Sequence, residues 1–227
     1  MRNNVLDVAI IDYKISNMYS VQSACNFIGL HSEITNNADE ILTAHAAILP
    51  GVGSFGAAMD HLKELGLIQV IKEFIASGKP FMGICLGMQL LLSESEEFGI
   101  KNGLNIIPGY VRKFPEINIQ GKKIKVPYIG WNHINIVNTN FSNDWSVSPL
   151  NEISNEEFMY FVHSYYVIPD DSNVTLTLTD YEDIKYCSSL AYKNIFACQF
   201  HPEKSGNKGL QIFKNFLATI KKERVSK

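Results

Sequence analysis

The feature that most limits how this chain can fold is a five-residue run, Gly83-Ile84-Cys85-Leu86-Gly87, caught between an apolar stretch and a helical one. Residues 80–84 read as a strand buried on both faces, and residues 86–93 read as a helix, with no linker between them. A tight, strained turn has to join the two. It needs glycine on either side, where a side chain would collide with neighbouring backbone. The same turn lifts Cys85 out over the end of the sheet.

The rest of the first half agrees with a strand-then-helix plan. Residues 8–11 and 46–49 are short apolar runs that read as buried strands, the second ending at Pro50-Gly51. Residues 17–29 read as a helix closed by glycine, and 56–77 as a helical stretch broken near Gly66. Strands alternating with helices imply an α/β fold with a mostly parallel central sheet and flanking helices. The second half has a different texture. Residues 126–137, 158–167, 174–179 and 187–200 are rich in β-branched and aromatic side chains and read as strands and hairpins, an additional antiparallel portion. Residues 209–222 form an amphipathic pattern with Leu210, Phe213, Phe216, Leu217 and Ile220 on the buried side. Residues 138–155, rich in Asn and Ser, read as a loose connection. With neither repeats nor low-complexity segments, one domain over 1–227 is expected.

Composition narrows the function. The 227 residues carry 19% charged side chains and a net charge of -3, with no dense basic stretch, which argues against binding a phosphate backbone. The apolar run near the start is short and flanked by Asp7 and Asp12, unlike a secretory signal, and no later run is long enough to cross a bilayer. The four cysteines, Cys25, Cys85, Cys187 and Cys198, make no CxxC pair, so neither a zinc site nor a disulfide framework is indicated. Reduced thiols in a bacterial-type cytoplasm fit best.

Cys85 opens a helix, where free N–H groups and the helix dipole favour thiolate. The amide of Leu86 is placed to hold a developing oxyanion. A thiol nucleophile needs a base. Of six histidines, His201 stands out because it ends an apolar run and is followed by Pro202 and Glu203. An acid two residues from a histidine can share its side of an extended chain, accept from one ring nitrogen and leave the other for the thiol. The turn Pro50-Gly51-Val52-Gly53, at the end of another strand, could direct amide N–H groups toward a substrate carbonyl.

Read together, these segments resemble the class I (triad) glutamine amidotransferases, and within them the glutaminase subunits of imidazole glycerol phosphate synthases. The matching stretches are LPGVGSFGAAM (49–59), GKPFMGICLGMQLL (78–91), SEEFG (95–99), GLNIIPGYVRKF (103–114), KVPYIGWN (125–132), YFVHSYY (160–166) and FHPEKSG (200–206). The resemblance implies catalytic roles for Cys85, His201 and Glu203. It implies substrate contacts from Gly51, Gly53, Leu86, Gln89, Glu97 and the backbone around His163, Ser164 and Tyr165. It places Trp131, Asn132, Tyr160 and Lys204 against a (β/α)8 barrel cyclase/synthase subunit, in a heterodimer that receives ammonia from L-glutamine for histidine biosynthesis. No metal or organic cofactor is implied for the glutaminase step.

One segment departs from the family pattern. Where a turn of the form Asp-Tyr-Gly-x-Gly-Asn is expected, the chain has Lys14 and Ser16 in the glycine positions, which implies a different loop shape near the partner. Paralogues of this subunit supply ammonia for amidation of an amino sugar in surface-polysaccharide biosynthesis, an alternative reading of the same residues. A stand-alone cysteine hydrolase is a further alternative, although such relatives generally lack a His-x-Glu pair at this position. A catalytically silent scaffold would have no reason to keep Cys85, His201 and Glu203 together.

Overall fold

The protein, seen in a computed structural model, is described over residues 5–14, 17–137 and 148–225. Strands and helices alternate through the first half: β1 (Val8–Ile11), α1 (Met18–Phe27), β2 (Ser32–Thr35), α2 (Ala38–Thr43), β3 (Ala46–Gly51), α3 (Phe55–Glu64), α4 (Leu67–Ala76), β4 (Phe81–Cys85) and α5 (Leu86–Leu90). β1, β3 and β4 are buried along their whole length, which is why they read as unbroken apolar runs. Period two still sorts their side chains between two cores. Ala9, Ile11, Ala47 and Leu49 pack with Ile41, Leu62, Ile71 and Phe74 on the face covered by α2, α3 and α4. Val8, Ile10, Ala46 and Ile48 pack with Val21, Ile212 and Phe213 on the other.

The second half supplies β5 (Glu94–Ser95), β6 (Lys101–Asn102), β7 (Gly109–Lys113), β8 (Tyr128–Ile136), β9 (Glu157–His163), β10 (Tyr165–Pro169), β11 (Thr175–Tyr181), β12 (Ile184–Tyr192), β13 (Ile195–Cys198) and α6 (Gly206–Val225). The sheet runs β2-β1-β3-β4-β13-β12-β10-β7-β5-β6, with β11, β8 and β9 branching from β12. β2, β1, β3, β4 and β13 are mutually parallel, and β12, β10 and β7 continue antiparallel. The last strand, β13, therefore returns to the centre, with Ala197 paired to Gly83 and Cys198 to Ile84. The carboxyl ends of β3, β4 and β13 lie side by side, where an open α/β sheet forms its binding crevice.

Several expectations are revised. The helical stretch 56–77 divides at Gly66, as expected, because that residue takes φ 68° between α3 and α4. α5 ends at Leu90 instead of continuing to residue 93, since Leu91 and Leu92 turn toward the β5 hairpin. The run 158–167 is two strands divided at Ser164, and 187–200 contains the turn between β12 and β13. Of the expected loose segment 138–155, residues 138–147 lie outside the described residues. Residues 148–155 are anchored, with Leu150 and Ile153 buried and Asn215 donating to the Pro149 and Asn151 carbonyls. In α6, Phe213 and Phe216 are buried and Leu210 packs against the same core, as the pattern required. The side chains of Leu217 and Ile220 lie outside the described residues. Among the described residues no helix is long and apolar enough to cross a membrane.

Candidate active site

Cys85 ends β4 with φ 54°, a left-handed conformation that a side-chain-bearing residue adopts only under local constraint. The flanking glycines show what imposes it. A Cβ on Gly87 would lie 1.8 Å from the Leu49 carbonyl oxygen, and one on Gly83 would meet the Gly87 oxygen and Met88 nitrogen at 3.1 Å. The thiol is 6% exposed. Its Sγ lies 3.8 Å from the Val162 carbonyl oxygen and receives an N–H from Gln199 Nε2 at 3.6 Å.

His201 and Glu203 follow β13 and are brought against Cys85 because β13 pairs with β4. His201 Nδ1 donates to Glu203 Oε1 at 2.8 Å, and both side chains are almost fully buried. No described residue makes a full hydrogen bond to His201 Nε2. Burial alone would lower the pKa of the ring. The negative charge and hydrogen bond of Cys85, with Glu203 behind, outweigh it and raise His201 to about 10. The imidazole is thus held between a sulfur and a carboxylate.

Beside the thiol lies a cavity of about 230 Å³ lined by Gly53, Cys85, Leu86, Gln89, Glu97, Ser164 and Tyr165, among others. It gathers most of the expected substrate contacts. Gly51 is set one step back: a Cβ there would meet the Tyr13 hydroxyl at 2.4 Å and Leu86 Cβ at 2.7 Å. Gly53, at φ 90°, is the glycine that reaches the cavity. Glu97 caps α3 by accepting from the Phe55 N–H. His163 also lines the cavity, and its ring packs among Phe114, Tyr128, Phe161 and Tyr186. Burial lowers that ring to about 4, so it is neutral, with Nδ1–H donating to the Tyr165 carbonyl at 2.9 Å.

The four residues expected at a partner surface fall on β8, β9 and the turn after His201. Trp131 and Tyr160 are cross-strand neighbours with ring centroids 5.9 Å apart, and Lys204 Nζ lies 5.9 Å from the Tyr160 ring centre. Trp131 and, on the same face, Ile129 and Phe158 are about half exposed. Asn132 is used internally, its Nδ2 donating to the Asp180 carbonyl. The face is wired to the site, because the His201 backbone N–H donates to the Tyr160 carbonyl at 2.9 Å.

This constellation sits within a chain whose residues 9–220 match the family model "Glutamine amidotransferase class-I". The chain belongs to the class-I glutamine amidotransferases. Within them it is similar to the imidazole glycerol phosphate synthase subunit HisH of Syntrophotalea carbinolica, 43% identical over 92% of this chain and 98% of that one. The subunit of the same name from Geobacter sulfurreducens is 42% identical over 92% and 97%. Among solved structures the fold is similar to PurLQS from Thermotoga maritima, at TM-score 0.65 and 18% identity, covering 93% of this chain and 97% of that one.

Two buried polar residues of this amidotransferase site escaped the sequence reading. Tyr13 is fully buried, and its hydroxyl donates to the Pro50 carbonyl at 2.8 Å, pinning the strand end that carries Gly51 and Gly53. Burial, with the Cys85 charge behind it, raises its phenol well above the usual range. Gln199 bridges Gln89 and Cys85. A lone glutamine inside the apolar run Phe196-Ala197-Cys198-Gln199-Phe200, two residues before His201, was the available signal.

Proposed function

We propose that this glutamine amidotransferase hydrolyses L-glutamine through Cys85, His201 and Glu203, and that it is the glutaminase subunit of an imidazole glycerol phosphate synthase. The observation that carries the reading is the meeting of an elbow cysteine with a buried His-Glu pair, the cysteine lining a cavity sized for a small amino acid. The similarity, at 43% and 42% identity, to imidazole glycerol phosphate synthase subunits supplies the pathway. Cys85 Sγ adds to the side-chain amide carbon, and the N–H groups of the Pro50–Gly53 strand end and of Leu86 hold the oxyanion. His201 gives its proton to the departing ammonia, leaving a thioester on Cys85. Water that loses a proton to the same histidine then releases glutamate. Gln89 donates to the Tyr165 carbonyl and to Gln199. That leaves its carbonyl, with the Glu97 carboxylate, to accept from the substrate's ammonium group.

Ammonia freed into bulk water would be protonated and lost, so release is coupled to a (β/α)8 barrel cyclase subunit docked on the Trp131, Tyr160 and Lys204 face. We read residues 1–227 as one amidotransferase unit working in the cytoplasm in this heterodimer. The amino-sugar alternative drew on the non-glycine residues of the first loop. Lys14 nevertheless takes φ 69°, the conformation glycine was expected to supply, with its N–H bonded to Asp12 Oδ1 at 2.7 Å. Ile15 and Ser16 lie outside the described residues.

The test is glutamate release from glutamine by the chain alone, and then with a cognate barrel subunit and its nucleotide substrate. Strong stimulation that disappears in Cys85→Ala is the expected result. Basal turnover with no response to that pair would retain the amidase and remove the histidine partner. Turnover surviving in Cys85→Ala would overturn the nucleophile.

A further inference from the structure

Gln199 is fully buried beside the nucleophile and has a defined partner at each end of its amide. Its orientation can be worked out from atoms that have one role only. The Tyr165 carbonyl can only accept, so the group of Gln89 that faces it at 3.0 Å is the NH₂. The same Gln89 nitrogen lies 3.0 Å from the Gln199 side chain, so Gln199 must offer its oxygen there. Its NH₂ is thereby turned toward Cys85 Sγ at 3.6 Å. A backbone carbonyl in the cavity wall thus fixes, through two side-chain amides, a hydrogen-bond donor aimed at the sulfur.

From this geometry we infer that Gln199 is a positioning residue for the reaction, a donor that orients and stabilises the Cys85 sulfur while sharing Gln89 with the substrate cavity. The inference rests on Cys85 being the nucleophile. Two features make the donor effective. Sγ makes its other close polar contact with the Val162 carbonyl, an acceptor that can hold a thiol proton but repels an anion. Gln199 offers the opposite polarity, so loss of the proton to His201 moves the sulfur's favourable contact from Val162 to Gln199. A donor to a charged acceptor that is largely buried is stronger than one in solvent. In addition, Phe200 packs into the core against Phe161, at 5.8 Å between ring centroids. That anchors the segment between Gln199 and His201, so the donor and the base lie two residues apart on one buried stretch. The chain from Tyr165 also predicts reciprocity: whatever pulls Gln89 toward a bound ligand acts on the donor at the sulfur.

The test compares Gln199→Glu, which keeps the shape but replaces the NH₂ with an acceptor, and Gln199→Met, which keeps the length without polarity. The readouts are alkylation of Cys85 by iodoacetamide, mapped by mass spectrometry, and steady-state glutaminase activity of the complex. Both variants are expected to lose roughly tenfold to a hundredfold in alkylation rate and kcat, the range for a hydrogen bond to a charged group. The KM for glutamine should change severalfold less, whereas general damage to the fold would move both parameters and the melting temperature. In wild-type protein, the Gln199 side-chain amide resonances should shift when Cys85 is alkylated. Alkylation and kcat within twofold of wild type, or amide resonances blind to the state of Cys85, would overturn the inference. An active Cys85→Ala would instead remove the nucleophile on which it rests, which keeps the two failures distinct.

Discussion

His201 and His163 are both buried, yet their surroundings drive them in opposite directions. His201 is raised to about 10, because the Cys85 charge and the Glu203 carboxylate overcome burial. His163 is lowered to about 4, because burial among aromatic rings overcomes its hydrogen bond to the Tyr165 carbonyl. The linkage signs follow. A base raised in the folded state contributes stability that is complete below its unfolded pKa, about 6.5, and fades as pH climbs toward 10. A base lowered in the folded state costs nothing above about 6.5 and destabilises as pH falls toward 4. These two residues together place a stability maximum near pH 6.5. In melting curves across pH 5 to 10, Cys85→Ser should flatten the alkaline arm and His163→Asn the acid arm. An alkaline arm unchanged in Cys85→Ser would show that the sulfur does not hold the proton on His201. Replacing Glu203 with Gln should lower kcat by two orders of magnitude or more, as loss of the orienting acid does in triads of this logic; steady-state kinetics read it directly.

At the scale of the element, the turn after β4 and the end of β3 are locked together by close approach. Gly87→Ala puts a methyl group on the Leu49 carbonyl, and should cost about 3 kcal/mol or more together with nearly all activity. Gly78→Ala meets nothing within 4 Å and carries only the left-handed backbone cost, about 1 to 2 kcal/mol, with activity retained. Denaturant unfolding separates the two. Tyr13→Phe leaves the Pro50 carbonyl without its donor, at about 1 to 3 kcal/mol, and should weaken glutamine turnover because the strand end is no longer pinned. The elements that carry the site were also the ones legible in the sequence. β1, β3 and β4 are apolar throughout, and glycines punctuate the turns. β2 was missed because Glu33 and Ile34 of its four residues are not buried. α2 was missed because it spans six residues, too few to show a period. Its start was signalled by Asn37, whose side chain accepts from the Asp39 and Glu40 N–H groups.

At the scale of the whole molecule, β8 and β9 carry one face into the aromatic core and leave the other in solvent. Ile129, Trp131, Phe158 and Tyr160 make that outer face apolar at its centre and basic at Lys204, the composition of an interface hot spot. Trp131→Ala should weaken binding to the barrel subunit by about 2 kcal/mol, near thirtyfold in Kd, while the isolated chain melts within a degree or two of wild type. Calorimetric titration and thermal melting check the two halves. Affinity unchanged by this variant would move the partner surface elsewhere. The sequence could announce exposed aromatics only through family likeness, since Trp131 and Phe161 look equally apolar on paper; which of them faces water depends on the register that pairs Trp131 with Tyr160 and Gly130 with Phe161.

The position of β13 has a consequence for how the enzyme comes into being. Among the described residues the strand slotted beside β4 is the last, and the proposed base and acid follow it. As the chain leaves the ribosome, Cys85 emerges long before His201 and Glu203, and the slot between β4 and β12 stays open until residue 195 and beyond are threaded in. Contacts this distant in sequence form slowly. A chain cut short before residue 195 would lack both the strand that fills this slot and the His201-Glu203 pair, and is expected to be inert toward glutamine.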